Sequence, residues 1–194
     1  MNIEKKYYTV QDSETLKLMF QHIQESDVIA VDTETSGLNP RKNKIVGWSI
    51  SGAEGVGFYL PTLVWNFEKN LLQPQIIDGT SAEVISKNLL KMLKGKKLVM
   101  HNASFDCRFI KNYFGVDLLE DLWVETLLLV HTVQEEGAGM GVFGLKPLAI
   151  SVQEHIGLDV EKAANEEQVE LKESITRNGG PTTRDSFEIS KAEM

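Results

Sequence analysis

A single cysteine, Cys107, stands among 194 residues, so no disulfide closes within the chain and a reducing compartment suits it. Apolar residues never run to the roughly 18 in succession that a membrane-spanning helix needs. The opening Met1-Asn2-Ile3-Glu4-Lys5-Lys6 leads into no apolar stretch of the secretory type. These absences predict a soluble chain with the cytoplasm as its compartment and no membrane partner. Basic residues are also in the minority, since 20 Lys and Arg against 28 Asp and Glu leave a formal net charge of −8. That balance argues against a protein that coats nucleic acid through a basic face, because Lys and Arg supply most of such affinity by neutralising phosphates. It leaves room for an enzyme acting on nucleic acid, whose carboxylate site is acidic by construction and is reconciled with a polyanion by divalent cations.

What is present is enough apolar residue, 42% of the chain, for one substantial core. Leu16, Met19, Phe20 and Ile23 recur at helical spacing over 13–24, with Asp12 or Ser13 as the cap. Val28 to Val31 is a continuous apolar run of the kind that a strand buried on both faces produces. Ile45 to Ile50 and Val56 to Leu60 read as two further strands, giving a three-strand meander. Residues 61–79 show no period and read as a loop. Thr80-Ser81-Ala82-Glu83 has the spacing of a capping box, Ile85, Leu89, Met92 and Leu93 make one apolar face, and Gly95 stands where a helix ends. Lys97 to His101 reads as a strand, and Asn102 opens a helix carrying Phe105, Phe109, Ile110 and Tyr113. Leu122 to Val133 is apolar enough for a buried helix. Gly137 to Gly144 reads as a mobile connector before a helix over Leu145 to Ile156. The order implies an α/β fold, a mixed sheet flanked by helices. Beyond Asp159 the chain turns polar, so residues 1–158 read as the domain and 159–194 as an insertion or unfinished end.

Two constellations place polar groups at the ends of buried strands. Asp32-Thr33-Glu34 follows Val28 to Val31 at the strand's exit, and in extended chain residues two apart point to one side, so both carboxylates face a common point. Two acids so close are costly unless a cation sits between them. The donors suit a hard ion such as Mg²⁺ or Mn²⁺, while one cysteine and four scattered histidines offer nothing for zinc. Asn102-Ala103-Ser104-Phe105-Asp106 follows the next buried strand; four apart on a helix, Asn102 and Asp106 share a face near its N-terminus, where the macrodipole favours anions. Each constellation has an ordinary counterpart: a solvated turn for the first, a cap and a first-turn acid for the second.

Taken in order, the segment from Asp32-Thr33-Glu34-Thr35 through Gly37-Leu38 and the segment Leu98-Val99-Met100-His101-Asn102-Ala103 through Phe105-Asp106 resemble the first two motifs of the DEDD (DnaQ-like) 3′-5′ exonucleases. The resemblance is strongest to the proofreading domains of bacterial and phage family A DNA polymerases. Glu125-Thr126, where an Asp-Thr pair is usual, and Gly144-Leu145-Lys146-Pro147-Leu148-Ala149 extend the likeness over residues 25–158. It implies an RNase H-like mixed sheet with three antiparallel strands followed by parallel ones. It implies Asp32, Glu34 and Asp106 as ligands of two Mg²⁺ or Mn²⁺ ions, about 3.5–4 Å apart in such sites. Thr35, Gly37 and Leu38 would lie against the terminal nucleotide of a single-stranded DNA 3′ end, and Asn102 and Phe105 would hold the strand. The product would be a nucleoside monophosphate.

The family's third motif, Tyr-x3-Asp or His-x4-Asp, is not found. Tyr113 and Asp117 have the first spacing but read as a helix end and a turn; His155 and Asp159 have the wrong spacing, and Asp185 has Pro181 upstream. A fragment whose fourth carboxylate lies past Met194 is the favoured expectation, and a Tyr-x3-Asp there would imply that a polymerase domain follows. A split or degenerate domain and a nonstandard fourth acid in the tail compete with it. RNase D-like trimming of RNA, or a catalytically silent nucleic-acid-binding module, is the alternative function.

Overall fold

A computed structural model describes residues 5–66, 69, 71–133, 144, 145 and 148. The connector at 137–144, the helix at 145–156 and the polar tail from 159 onward, all expected from the sequence, lie outside the described residues, apart from Gly144, Leu145 and Leu148. The chain divides into two units between Glu125 and Thr126.

The first unit runs β1 (Lys6–Thr9), α1 (Ser13–Glu25), β2 (Val28–Thr35), β3 (Ile45–Ala53), β4 (Val56–Pro61), β5 (Leu63–Asn66), β6 (Leu71–Pro74), β7 (Ile76–Ile77), β8 (Thr80–Ser81), α2 (Ala82–Leu93), β9 (Lys97–Met100), α3 (Ala103–Phe114), a 3₁₀ turn at Leu119–Asp121 and β10 (Leu122–Glu125). Six of the strands form one sheet in the order β1-β4-β3-β2-β9-β10. The β2-β3-β4 meander is antiparallel, with β3 and β4 joined tightly through Glu54-Gly55, and β9 joins β2 in parallel through the crossover helix α2. Strand β10 then extends the parallel half. The RNase H-like mixed sheet expected from the sequence is the fold of this unit. In the second unit α4 covers Thr126–Val133, and Leu148 N–H donates to Gly144 O at 3.0 Å, one helical turn. Among the described residues no helix is long and apolar enough to cross a membrane.

Four readings shift. The stretch at 61–79 is not a loop: β5 and β6 form a hairpin, and β7 and β8 form another around Asp78-Gly79, both with left-handed backbone (φ 47° and 75°). An Asp-Gly pair is the chemistry of a two-residue hairpin turn, and it commits Thr80 to a strand, so the cap of α2 falls one residue later. Ser81 accepts from Val84 N–H. Strand β10 replaces the first turn of the helix expected at 122–133, because a short apolar run carries no periodicity to tell strand from helix. Strand β2 runs on through Asp32 and Glu34 to Thr35, so the acids lie within the ladder rather than past it. Edge strand β1, exposed along most of its length, left no buried stripe to read.

Helix α1 is capped by Asp12, whose Oδ1 accepts from Thr15 N–H at 2.8 Å, and α2 ends on Lys94 with Gly95 beyond it at φ 80°. Met19 and Ile23 of α1, Ile85, Leu89 and Leu93 of α2, and Ile29, Val31, Trp48 and Ile50 of the sheet share one core cluster. A polar thread crosses it. Trp48 Nε1–H donates to Ser86 Oγ at 3.0 Å, and Ser86 Oγ donates in turn to Ala82 O at 2.7 Å. Replacing Ser86 by Ala leaves the buried indole N–H without its acceptor and should lower the unfolding free energy by about 1–3 kcal/mol. Urea titration of both proteins measures the difference; unchanged stability would mean that the thread contributes nothing.

Candidate active site

Strand alternation sorts the residues at the end of β2. Ile29, Val31 and Thr33 turn into the core and are buried, while Asp32 and Glu34 turn to the opposite, more open face. Their cross-strand partners on β3 are small: Ser49 opposite Asp32 and Gly47 opposite Glu34. The next row out, on β4, places Tyr59 opposite Ser49. The phenol of Tyr59 lies over Gly47, where a Cβ would stand 2.5 Å from its Cζ. The carboxylate face is thus floored by glycine and serine and walled by tyrosine.

Asp106 arrives from α3. Its carboxylate is 2% exposed, and Oδ1 accepts from Thr33 N–H at 3.0 Å and from Thr33 Oγ1 in a short bond. Thr33, passed over as a spacer between two acids, anchors the third one. The period-2 rule was the signal: whatever separates two outward acids on a strand must face the helix packed behind. The start of α3 is held just as firmly. Asn102 adopts left-handed backbone at φ 57°, a conformation that asparagine tolerates. Its N–H and that of Ala103 both donate to Glu125 Oε1, at 2.5 and 3.3 Å. Glu125, noted in the sequence as a departure from an Asp, sits opposite Met100 at the end of β10 and supplies the helix N-terminus with the acceptor that Asn102's own side chain does not.

The electrostatics record how closely the acids are gathered. Burial first, then the Asp106 and Glu34 carboxylates, push Asp32 up to about 7. Burial and Glu34 raise Asp106, while the hydrogen bonds from Thr33 pull it the other way. Tyr59 is pushed up to about 12 by burial and by Glu34. All three carboxylates are therefore within electrostatic reach of one another. Among the described residues no three His, Cys, Asp or Glu side chains are grouped closely enough to hold a metal ion as they stand, and Oδ1 of Asp106 is engaged by Thr33. The donor chemistry nonetheless fits a hard divalent cation: three carboxylates, two of them raised by burial and mutual repulsion, are what such an ion relieves.

The remaining candidates distribute unevenly. Thr35 Oγ1 donates to Gly37 O at 2.9 Å, and Gly37 lacks room for a side chain because a Cβ there would meet Asn43 Nδ2 at 2.6 Å. Asn43 in turn accepts from Asn39 N–H and donates to Ser36 O, so the segment after β2 is closed around one asparagine. Leu38 stands 84% exposed on it. Asn112 Nδ2 donates to Pro40 O at 2.7 Å, tying this segment to α3. Asn102 is exposed, while Phe105 packs against the core and against Phe109, ring centroids 5.0 Å apart. Tyr113 and Asp117 are a helix end and a turn, as read: Gly115 caps α3 at φ 70°, and Asp117 pairs with Lys111 at 2.7 Å.

A six-stranded mixed sheet with paired acids on its central strand and a third at the head of the helix after the next parallel strand defines an RNase H-like nuclease scaffold. Within that class the chain belongs to the 3′-5′ exonuclease family, which it matches over residues 7–176. Two of the solved structures that the chain is similar to share the fold at a TM-score of 0.50 or 0.51. The POL domain of Pol1 from M. smegmatis in complex with DNA primer-template and dNTP is 15% identical, with a TM-score of 0.51 over 77% of this chain and 23% of that one. The catalytic core of RRP6 from Trypanosoma brucei is 15% identical, with a TM-score of 0.50 over 81% and 36%. Brucella melitensis NrnC with bound Mg²⁺ is 18% identical, with a TM-score of 0.48 over 98% and 92%. The chain spans 64% of the chain in an apo form of a nuclease and 61% of another chain of Brucella melitensis NrnC.

Two outcomes are expected. Because the folded-state pKa of Asp32 lies above its ordinary value of 3.8, the native state holds a proton there that the unfolded chain gives up. Its stabilising effect is complete below pH 3.8 and fades as pH rises through about 7. In EDTA, Asp32→Asn should remove that decline from a urea-unfolding pH series; an unchanged slope would place the proton elsewhere. Glu125→Ala should cost about 1 kcal/mol, the usual worth of a helix N-terminal acceptor, while Glu125→Gln, which keeps the oxygen, should lose less. Equal losses in thermal unfolding would show that the side chain's charge, not its hydrogen bonds, matters.

Proposed function

We propose that this chain is the exonuclease domain of a DNA-polymerase proofreading type, releasing nucleoside monophosphates one at a time from the 3′ end of single-stranded DNA. The observation that carries the proposal is the set of mutually coupled acids, Asp32, Glu34 and Asp106, on the scaffold of a 3′-5′ exonuclease family. Asp32, Glu34 and Asp106 would hold two divalent cations, Mg²⁺ or Mn²⁺. When bound, such ions supply a nucleophile at neutral pH and neutralise charge building on the leaving 3′ oxygen.

The protein's own residues have distinct tasks in this reading. Asp32 and Glu34, on one face of β2, present carboxylate oxygens toward the end of the strand, and their ionisation is eased by the cations they hold. Asp106 is kept at a fixed depth by its two bonds from Thr33, and Glu125 fixes the helix that carries it. Leu38, exposed on a segment that Asn43 holds in shape, offers an apolar surface for the terminal base. Thr35 and Gly37 fix the base of that segment. Asn102 and Phe105 flank the head of α3, where the strand would pass. Binding of this kind tolerates any base, which suits an enzyme that must remove whichever nucleotide is last.

Release of labelled nucleotide from a short single strand with Mg²⁺ or Mn²⁺ tests the proposal. Asp32→Ala should slow release about a thousandfold or more, in keeping with the several kcal/mol that a metal site contributes. A parallel RNA strand decides the sugar: faster release from RNA would replace the proofreading assignment by RNA 3′ trimming. Binding without release by folded wild-type protein would make the chain a binding module.

A further inference from the structure

The face that carries Asp32 and Glu34 holds another polar side chain whose placement the acids do not account for. Tyr59 stands opposite Ser49, which stands opposite Asp32, so three strands present Tyr59, Ser49 and Asp32 in one row. The phenol does not stay in that row. It leans over Gly47 in the neighbouring row, and a Cβ built on Gly47 would lie 2.5 Å from its Cζ, 2.6 Å from its Cε2 and nearer still to its hydroxyl oxygen. Gly47 is the residue directly opposite Glu34. Glycine in a strand interior weakens the strand and commonly marks a close approach by another group; here that group is the tyrosine hydroxyl, delivered to the edge of the carboxylate pair.

The hydroxyl makes no hydrogen bond with any described residue. The ring is half-buried while the oxygen stays open to solvent, so the donor is available to a molecule brought to this face. Were its task to steady Glu34, that bond would already be made. Ionised carboxylates are acceptors only, and so are phosphate oxygens, so a phosphodiester brought to this face needs a neutral or positive donor. A phenol is protonated across the physiological range. Of the two hydroxyls in the row, that of Tyr59 is the one carried over toward Glu34, since the serine side chain is too short to leave its own position.

We propose that Tyr59 is a substrate-binding residue of this site, donating its O–H to a non-bridging phosphate oxygen of the strand held at Asp32 and Glu34. The assignment rests on the exonuclease reading for the identity of the ligand. Tyr59→Phe keeps the ring over Gly47 and removes only the donor. Two measurements on the full chain test it: the Kd of a short single-stranded DNA with a phosphorothioate 3′ linkage in Ca²⁺, and KM and kcat for nucleotide release in Mg²⁺, with Asp32→Ala as control and an RNA strand alongside.

Tyr59→Phe should weaken Kd and raise KM about tenfold, as loss of one hydrogen bond to a charged group does, with the melting temperature unchanged and kcat less affected. Gly47→Ala, which displaces the phenol but leaves the hydroxyl, should raise KM in the same way. Wild-type cleavage with unaltered Kd and KM in Tyr59→Phe overturns the role of Tyr59 and leaves the exonuclease reading standing. Strand binding that weakens in Tyr59→Phe without any wild-type cleavage overturns the exonuclease reading and keeps Tyr59 as a phosphate contact. Folded wild-type protein that neither binds nor cleaves overturns both.

Discussion

The pair of hydrogen bonds from Thr33 to Asp106 joins the two parts of the first unit that carry its gathered acids. It links the central strand β2 to the head of α3 across 73 residues of sequence, and it does so through a backbone N–H and a hydroxyl that share one carboxylate oxygen. A nearly inaccessible carboxylate is costly unless its oxygens are bonded, so the position of α3 is fixed by the need to satisfy Asp106 as much as by the packing of Phe109 and Ile110 in the core. Much else follows from that placement. Glu125 finds the α3 N-terminus within reach, Asn112 reaches Pro40, and the segment after β2 is pinned from a second side.

The same bond sets the electrostatic character of the site. By holding a third acid near Asp32 and Glu34, it makes the protein itself a poor solvent for its own charges. Asp32 responds by keeping its proton toward neutrality. A site so arranged is strained by charge rather than by backbone geometry, and the strain is of the kind that a cation removes.

Most of the scaffold was readable in the sequence because burial writes a periodic record. The meander, α1, α2 and α3 each left a stripe or run, and Asp12 and Gly95 marked helix ends. Elements that form through main-chain pairing alone left none: β1, β10 and the two small hairpins are two to four residues long, shorter than the window in which a period can be seen. The turn Asp78-Gly79 is legible as an Asp-Gly pair of the hairpin type. Among the site residues, Asp32, Glu34 and Asp106 were legible as acids at strand ends. Thr33 carries no charge to mark it, and its role exists only once α3 packs against β2. Tyr59 was invisible for a different reason: its relation to Glu34 exists only once three strands are paired in register, which no one strand shows by itself.

That register also orders events during synthesis. The meander of β2, β3 and β4 contains Asp32 and Glu34 and needs only neighbouring segments to close, whereas β9 and α3 emerge later, and contacts of long sequence separation form last. The growing chain therefore presents Asp32, Glu34 and the strands β3 and β4 before Asp106 exists. Asp106 follows α2, whose Ser86 meets Trp48, along the chain. The third acid of this nuclease scaffold is thus the last of the three to leave the ribosome.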